Sequence, residues 1–317
     1  MTGGAGFIGS HLCERLIKDG HTVTALDNFS TGRSSNLINI KSANDFTLME
    51  GSILDTEILS SLIDEADYVF HLAAAVGVFN IVNNPLASLL TNIRGTENVL
   101  EVAHATKTPV FLTSSSEVYG KNISDSLKEA DDRILGSPVT LRWSYSEAKA
   151  IDESLAYAYF IEKQLETRIV RFFNTVGPRQ LGAYGMVVPR FVKAALANEP
   201  ITIYGDGNQT RCFAHVYDVV DAVLAIAFAD NTVGKVINIG NDFEISINGL
   251  AKRIIEETRS KSEIVYVAYE EAYGDGFEDM ERRVPSIDLI NQLVGWKPKR
   301  DLSTMIADIS VEMKKSS

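Results

Sequence analysis

Tyr145 and Lys149 stand four residues apart in "RWSYSEAKA" (142–150), a spacing that brings two side chains onto one face of a helix. A lysine ammonium beside a phenol stabilises the phenolate. It draws the phenol from about 10 toward neutrality, where it can take a proton from an alcohol as hydride departs. Tyr-x-x-x-Lys recurs by chance, so the pair needs support from its surroundings. Ser115 supplies some of it, at the end of the apolar run "PVFLTSS" (109–115) and followed at once by Ser116 and Glu117.

A hydride needs an acceptor, and the first ten residues, "MTGGAGFIGS", offer a place for one. Gly3, Gly6 and Gly9 precede an amphipathic stretch, "FIGSHLCERLIKDG", and then "HTVTALD", which ends in Asp27. In dinucleotide-binding folds such glycines let backbone amides and a helix N-terminus approach a pyrophosphate. An acid about 20 residues on accepts hydrogen bonds from the adenosine ribose. Asp27 would repel a 2′-phosphate, so NAD is favoured over NADP. The turn should follow a buried strand, and only Met1 and Thr2 precede it, so these two are expected to be the tail of that strand.

The elements that would hold these residues alternate. "HTVTALD" (21–27), "FTLMEG" (46–51), "ADYVFHLAA" (66–74), "PVFLTSS" (109–115) and "TRIVRFFN" (167–174) read as buried strands, rich in β-branched and aromatic residues. Helices are expected at about 9–19, 56–65, 84–105 and 145–163. That alternation predicts an α/β fold with a Rossmann-like, doubly wound parallel sheet over 1–173. After Asn174 glycine and proline punctuation loosens the order. Helices are expected at 217–229 and 246–257, and strands at "KVINIG" and "SEIVYVAY". A smaller mixed α/β substrate domain is expected over 174–317, with part of 205–235 packing back on the first.

Composition narrows the partners. The chain has 317 residues, is 45% hydrophobic and carries a net charge of −12, which argues against nucleic acid or an anionic membrane. No run of about 18 apolar residues and no secretory signal is present, so the chain reads as cytoplasmic. Cys13 and Cys212 read as reduced thiols, and no Cys/His spacing indicates a metal.

Taken together, these residues resemble the extended short-chain dehydrogenase/reductases that modify nucleotide sugars, over essentially the whole chain. The resemblance implies that Ser115 hydrogen-bonds the reacting hydroxyl, that Tyr145 is the base and that Lys149 also holds the nicotinamide ribose. It implies further NAD contacts from Phe7, Ile8 and Asn28, and from Leu72, Ala73 and Ala74 of "HLAA". For the nucleotide sugar it implies Asn174 and Arg211 near the diphosphate, Val188 and Arg190 of "MVVPRF" at the nucleotide base, and Tyr204 of "YGDGNQTRCF" among the substrate contacts. Asn174 and Arg211 also fit a capped turn and a surface salt bridge. Relatives pair as homodimers through the Tyr/Lys helix and the one before it, and "AYAYFI" (156–161) offers apolar surface for that.

All such enzymes first oxidise carbon 4, and the residues after Ser115 distinguish the fates of the resulting 4-keto sugar. dTDP-glucose-type 4,6-dehydratases carry Asp then Glu there. Ser116 and Glu117 instead resemble UDP-glucuronic acid decarboxylases, a pattern shared with GDP-mannose 4,6-dehydratases. "YGDGFEDMERRVPSI" (273–287), with "RWSY", is similar to the aminoarabinose-pathway decarboxylase and the UDP-apiose/xylose synthases, in which the arginine matching Arg283 sits beside the matching Glu. A guanidinium suits a sugar carboxylate and the enolate left after its loss. Such decarboxylases usually carry Thr where Ser115 stands, and Ser there also suits the alternative, a nucleotide-sugar 4-epimerase. Glu117 and Arg283 would then be a structural ion pair. A non-catalytic sensor on the same fold has no need of Tyr145 and Lys149. "AAVGVFNIVNNP" (74–85) resembles neither decarboxylase closely.

Overall fold

The computed structural model describes residues 1–77, 81, 83–182, 186–268, 271 and 280–315. Parts of the stretches 74–85, 176–185 and 273–287 lie outside them. The strands are β1 (Val23–Asp27), β2 (Phe46–Glu50), β3 (Val69–His71), β4 (Val110–Ser115), β5 (Thr167–Phe172), β6 (Thr175–Val176), β7 (Ile201–Tyr204), β8 (Thr210–Cys212), β9 (Ala214–His215), β10 (Val236–Ile239), β11 (Glu244–Ser246) and β12 (Ile264–Val267). The helices are α1 (Phe7–Lys18), α2 (Thr56–Ile63), α3 (Pro85–Thr106), α4 (Ser144–Lys163), α5 (Val187–Ala197), α6 (Val216–Ala227), α7 (Ile247–Thr258), α8 (Asp288–Val294) and α9 (Leu302–Lys315).

Parallel pairing runs β2–β1 and β3–β4–β5–β10. Thr2 joins the two groups, bridging to Leu26 on one side and His71 on the other. Its amide donates to Phe70 O at 2.9 Å, while Leu26 N donates to Met1 O at 2.8 Å. Met1 and Thr2 thus pair with backbone groups of β1 and β3 that face one another in the sheet interior.

Successive side chains on the strands point to opposite faces, and the core divides accordingly. Phe111 and Val170 pack with Leu12 and Leu16 of α1, Val219 and Val223 of α6, and Ile290 of α8. Val110, Leu112 and Ile169 pack on the other face with Leu59, Val99, Leu100 and Ala156 from α2, α3 and α4. A separate core joins α5, α7 and α9 to β7 through Val188, Phe191, Leu250, Ile254, Ile306 and Ile201.

Sequence position and spatial position therefore part company after residue 174. β10 hydrogen-bonds to β5 and α6 packs on α1. α8 and Trp296 also belong to the first core. The apolar faces of these elements are buried against the Rossmann sheet, so 216–239 and 288–296 lie with the first core, where part of 205–235 was expected to pack.

Candidate active site

β4 ends at Ser115 and gives way to a single 3-10 turn, Ser116–Tyr119, capped by the Ser115 hydroxyl, which accepts from Glu117 N at 3.2 Å. That turn brings Glu117 off the end of the sheet. Helix α4 is tied to it, because Ser146 Oγ donates to Glu117 O at 2.7 Å. Arg171 of β5 grips Glu153 of α4 with two hydrogen bonds of 2.9 and 2.7 Å, a paired geometry that fixes direction as well as distance. Tyr145 and Lys149 are thus carried by a helix anchored at both the turn and the sheet.

One cavity of about 510 Å³ lies over the C-terminal ends of β1, β3, β4 and β5. Every residue assigned a role from sequence lines it. Gly3, Gly6, Phe7, Ile8, Gly9, Asp27 and Asn28 come from the opening turn and β1, and Leu72, Ala73 and Ala74 from the end of β3. Ser115, Ser116, Glu117, Tyr145, Lys149 and Arg283 meet at β4. Asn174, Val188, Arg190, Tyr204 and Arg211 come from the elements beyond β5.

The glycine end is shaped for a dinucleotide. Gly3 has φ +70°, and a Cβ there would lie 2.7 Å from Ala73 N. A Cβ on Gly9 would lie 2.1 Å from Gly3 O. Among the described residues no side chain caps α1 and its first turn holds no acid, which leaves its amides and the positive end of the helix for an anion. Asp27 accepts from Ala5 N at 2.9 Å and Phe29 N at 2.8 Å, which aims the carboxylate while keeping lone pairs for a ribose. Gly9→Ala is therefore expected to cost about 1–3 kcal/mol of stability and to weaken dinucleotide binding, as read by urea unfolding and by NAD titration.

Two pieces of the electrostatics differ from the expectation raised by the sequence. The spacing predicts that Lys149 draws the Tyr145 phenol down. Instead its Nζ is bonded to Asp152 at 3.1 Å, with both side chains buried. Burial, then the charges of Glu117 and Asp152, raise the Tyr145 phenol above its ordinary range, while a hydrogen bond with Ser115 works in the opposite direction. The second difference is Arg142, a residue of "RWSY" to which sequence alone gives no role. Glu117 receives Arg142 Nη1 at 2.6 Å and Arg283 Nη1 at 2.7 Å, and Arg283 also donates to Ser116 Oγ at 3.3 Å. Burial alone would raise the Glu117 carboxyl, but the Arg283 and Arg142 guanidiniums override it and hold it at about 2. Two guanidiniums thus converge on one buried carboxylate.

Beyond β5, Asn174 Nδ2 donates to Cys212 O at 3.0 Å. The Arg190 guanidinium stacks over Tyr204 at 4.2 Å. Arg211 is fixed by a 2.8 Å bond from Nη1 to Thr210 O. Among the described residues no group of His, Cys, Asp or Glu is placed to hold a metal ion, and no helix is long and apolar enough to cross a membrane.

Comparisons with known proteins agree with this geometry. The chain is 41% identical to the UDP-N-acetyl-alpha-D-glucosaminuronate decarboxylase of Bacillus cytotoxicus, over 94% of this chain and 92% of that one. It is 36% identical to UDP-glucuronic acid decarboxylase 1 of Xenopus tropicalis, over 94% and 68% respectively. The solved UDP-glucuronic acid 4-epimerase of Bacillus cereus, in complex with UDP-glucuronic acid and NAD, superposes with a TM-score of 0.89 at 28% identity, covering 100% of this chain and 98% of that one. The model of the NAD dependent epimerase/dehydratase family matches residues 1–240, and with the glycine turn, Asp27 and the Ser115–Tyr145–Lys149 group on one cavity, this chain belongs to that family.

Proposed function

We propose that this enzyme is a decarboxylase of a UDP-linked hexuronic acid. The observation that carries the reading is Glu117 held between Arg142 and Arg283 on the cavity that also holds Ser115 and Tyr145. The Bacillus cytotoxicus and Xenopus tropicalis decarboxylases act on uronic acids that differ in name only by the N-acetylamino group, and both support this class.

NAD, when bound, accepts hydride from carbon 4 of the sugar. Tyr145 takes the proton of the carbon 4 hydroxyl, and Ser115, beside it on the same cavity, orients that hydroxyl. With carbon 4 a ketone, the carboxylate on carbon 5 belongs to a β-keto acid. Its C–C bond breaks, carbon dioxide leaves, and the electron pair stays as an enolate. The arginine pair first receives the sugar carboxylate and then offsets the enolate. Glu117, ionised at neutral pH, is unsuited to be the acid that protonates a leaving hydroxyl, which disfavours dehydration. Its part is to aim the two guanidiniums.

We also assign a homodimer and a cytoplasmic setting to this enzyme. Ile151, Tyr157 and Ile161 leave an apolar stripe exposed on α4, and Leu86 is exposed on α3 beside it, a face that a second copy can cover. Cys13 and Cys212 are free, buried thiols, which suits a reducing compartment.

The test is incubation with UDP-glucuronate, UDP-N-acetylglucosaminuronate and UDP-glucose, with products followed by NMR and carbon dioxide by trapping. A UDP-pentose or its 4-keto form, with carbon dioxide, is expected from a uronate and neither from UDP-glucose. Recovery of the uronates only as their 4-epimers would overturn decarboxylation and leave epimerisation.

A further inference from the structure

Asp152 is a buried ionisable group that the decarboxylation chemistry does not use. It lies three residues beyond Lys149 in α4, fully buried, with a carboxylate oxygen 3.1 Å from Nζ. Its other oxygen is buried beside Thr96 of α3 with no hydrogen bond of its own. Thr96 Oγ1 is in turn 3.2 Å from His71 Nε2, and His71 Nδ1 is 2.8 Å from Thr2 Oγ1. Asp152, Thr96 and His71 stand behind the cavity rather than on it. Behind the Lys149–Asp152 pair, the contacts from Thr96 through His71 run to the neck of the glycine turn.

Such a carboxylate is costly to bury unless it is paired, and its partner here is the residue whose charge the phenol needs. We propose that Asp152 is a positioning residue for the oxidation step, one that fixes the Lys149 ammonium and tempers its pull on the Tyr145 phenol. The proposal rests on Tyr145 being the base. Without Asp152 the long lysine chain has nothing to choose its rotamer, and the full positive charge acts on the phenol. With Asp152 the ammonium is held still and its field is partly cancelled.

The other charged groups around this pair are accounted for. Glu117, on the turn after β4, raises the phenol as Asp152 does, and is itself neutralised by Arg142 and Arg283. Glu153, next along α4, is spent on Arg171 of β5. His71 of β3 is driven down to about 3 by burial, then by Lys149 and the Met1 ammonium, so at neutral pH it is an uncharged hydrogen-bonding link. Asp152 is therefore the acid that both acts on the phenol and is paired with Lys149.

The test is Asp152→Asn, nearly the same shape with the charge removed. Ionisation of Tyr145 is read without substrate, as the ultraviolet difference between each protein and its Tyr145→Phe counterpart. In Asp152→Asn the phenol should titrate about one pH unit lower. The acid limb of kcat should move the same way, with KM little changed. A new alkaline decline should appear, because a buried lysine without its counter-charge loses its proton more readily. Asp152→Ser, which leaves room for a water beside the ammonium, serves the same comparison if the asparagine variant does not fold. An unchanged phenol titration, with kcat lowered equally at every pH, would show a merely structural Asp152 and overturn the proposal. An active Tyr145→Phe would instead sink the assignment of the base and leave the titration comparison readable.

Discussion

Tyr145→Phe is expected to lower kcat by about 10²–10⁴-fold, the usual worth of a positioned acid–base group, with NAD affinity little changed. The substitution removes one oxygen from a half-buried ring that lines the cavity, so packing survives while the proton acceptor does not. The pH dependence has a definite sign. Because burial raises the phenol above its usual range, the fraction present as base grows as pH rises. The wild-type kcat should therefore climb through the alkaline side of neutrality, and the residual rate of the variant should be flat there. Single-turnover NADH formation across a pH series checks both points. A variant that keeps the rate within about tenfold would remove Tyr145 from the role of base.

Glu117→Gln is expected to act on chemistry and stability together. It leaves the Arg142 and Arg283 guanidiniums buried side by side without their shared counter-charge, a loss worth about 3–5 kcal/mol for a buried pair. Carbon dioxide release should fall far more than NADH formation, since Tyr145, Ser115 and Lys149 remain. The wild-type carboxyl sits at about 2 against an ordinary 4.5, so its contribution is fully present above pH 4.5 and is lost as pH falls through 2. Urea unfolding at a series of pH values should show the gap between wild type and variant wide at neutrality, narrowing below 4.5 and closing near 2. A gap that stays constant over that range would mean that the arginines do not stabilise the ionised form.

The parts of the molecule legible in sequence are those in which local pattern and tertiary role coincide. β4 shows its burial as an unbroken apolar run, and α4 shows its chemistry because tyrosine and lysine recur at one helical turn. The glycine turn is legible because a positive φ at Gly3 and close contact at Gly9 admit hardly any other residue. Helix α5 reads in sequence only as a contact for the nucleotide base, since Pro189 in "VVPRF" looks like a breaker. It falls in the first turn, where no intrahelical partner for its nitrogen is needed. Distance hides Arg142, its partner Glu117 being 25 residues away in sequence and on another element. Type hides Asp152, because an aspartate in a helix reads as solvent-facing until its neighbours are known. The damping of Lys149 escapes notice for the same reason: a spacing shows which groups share a face, and not which of them is already engaged.

Arg283 reaches Glu117 from residues 280–286, a strap hydrogen-bonded at two places. Val284 O and Ser286 N pair with Leu127, beside the first sheet, and Glu281 O accepts from Thr210 N in β8. The guanidinium beside Glu117 is therefore held from two sides at once, and its place depends on the registry between the first sheet and β8.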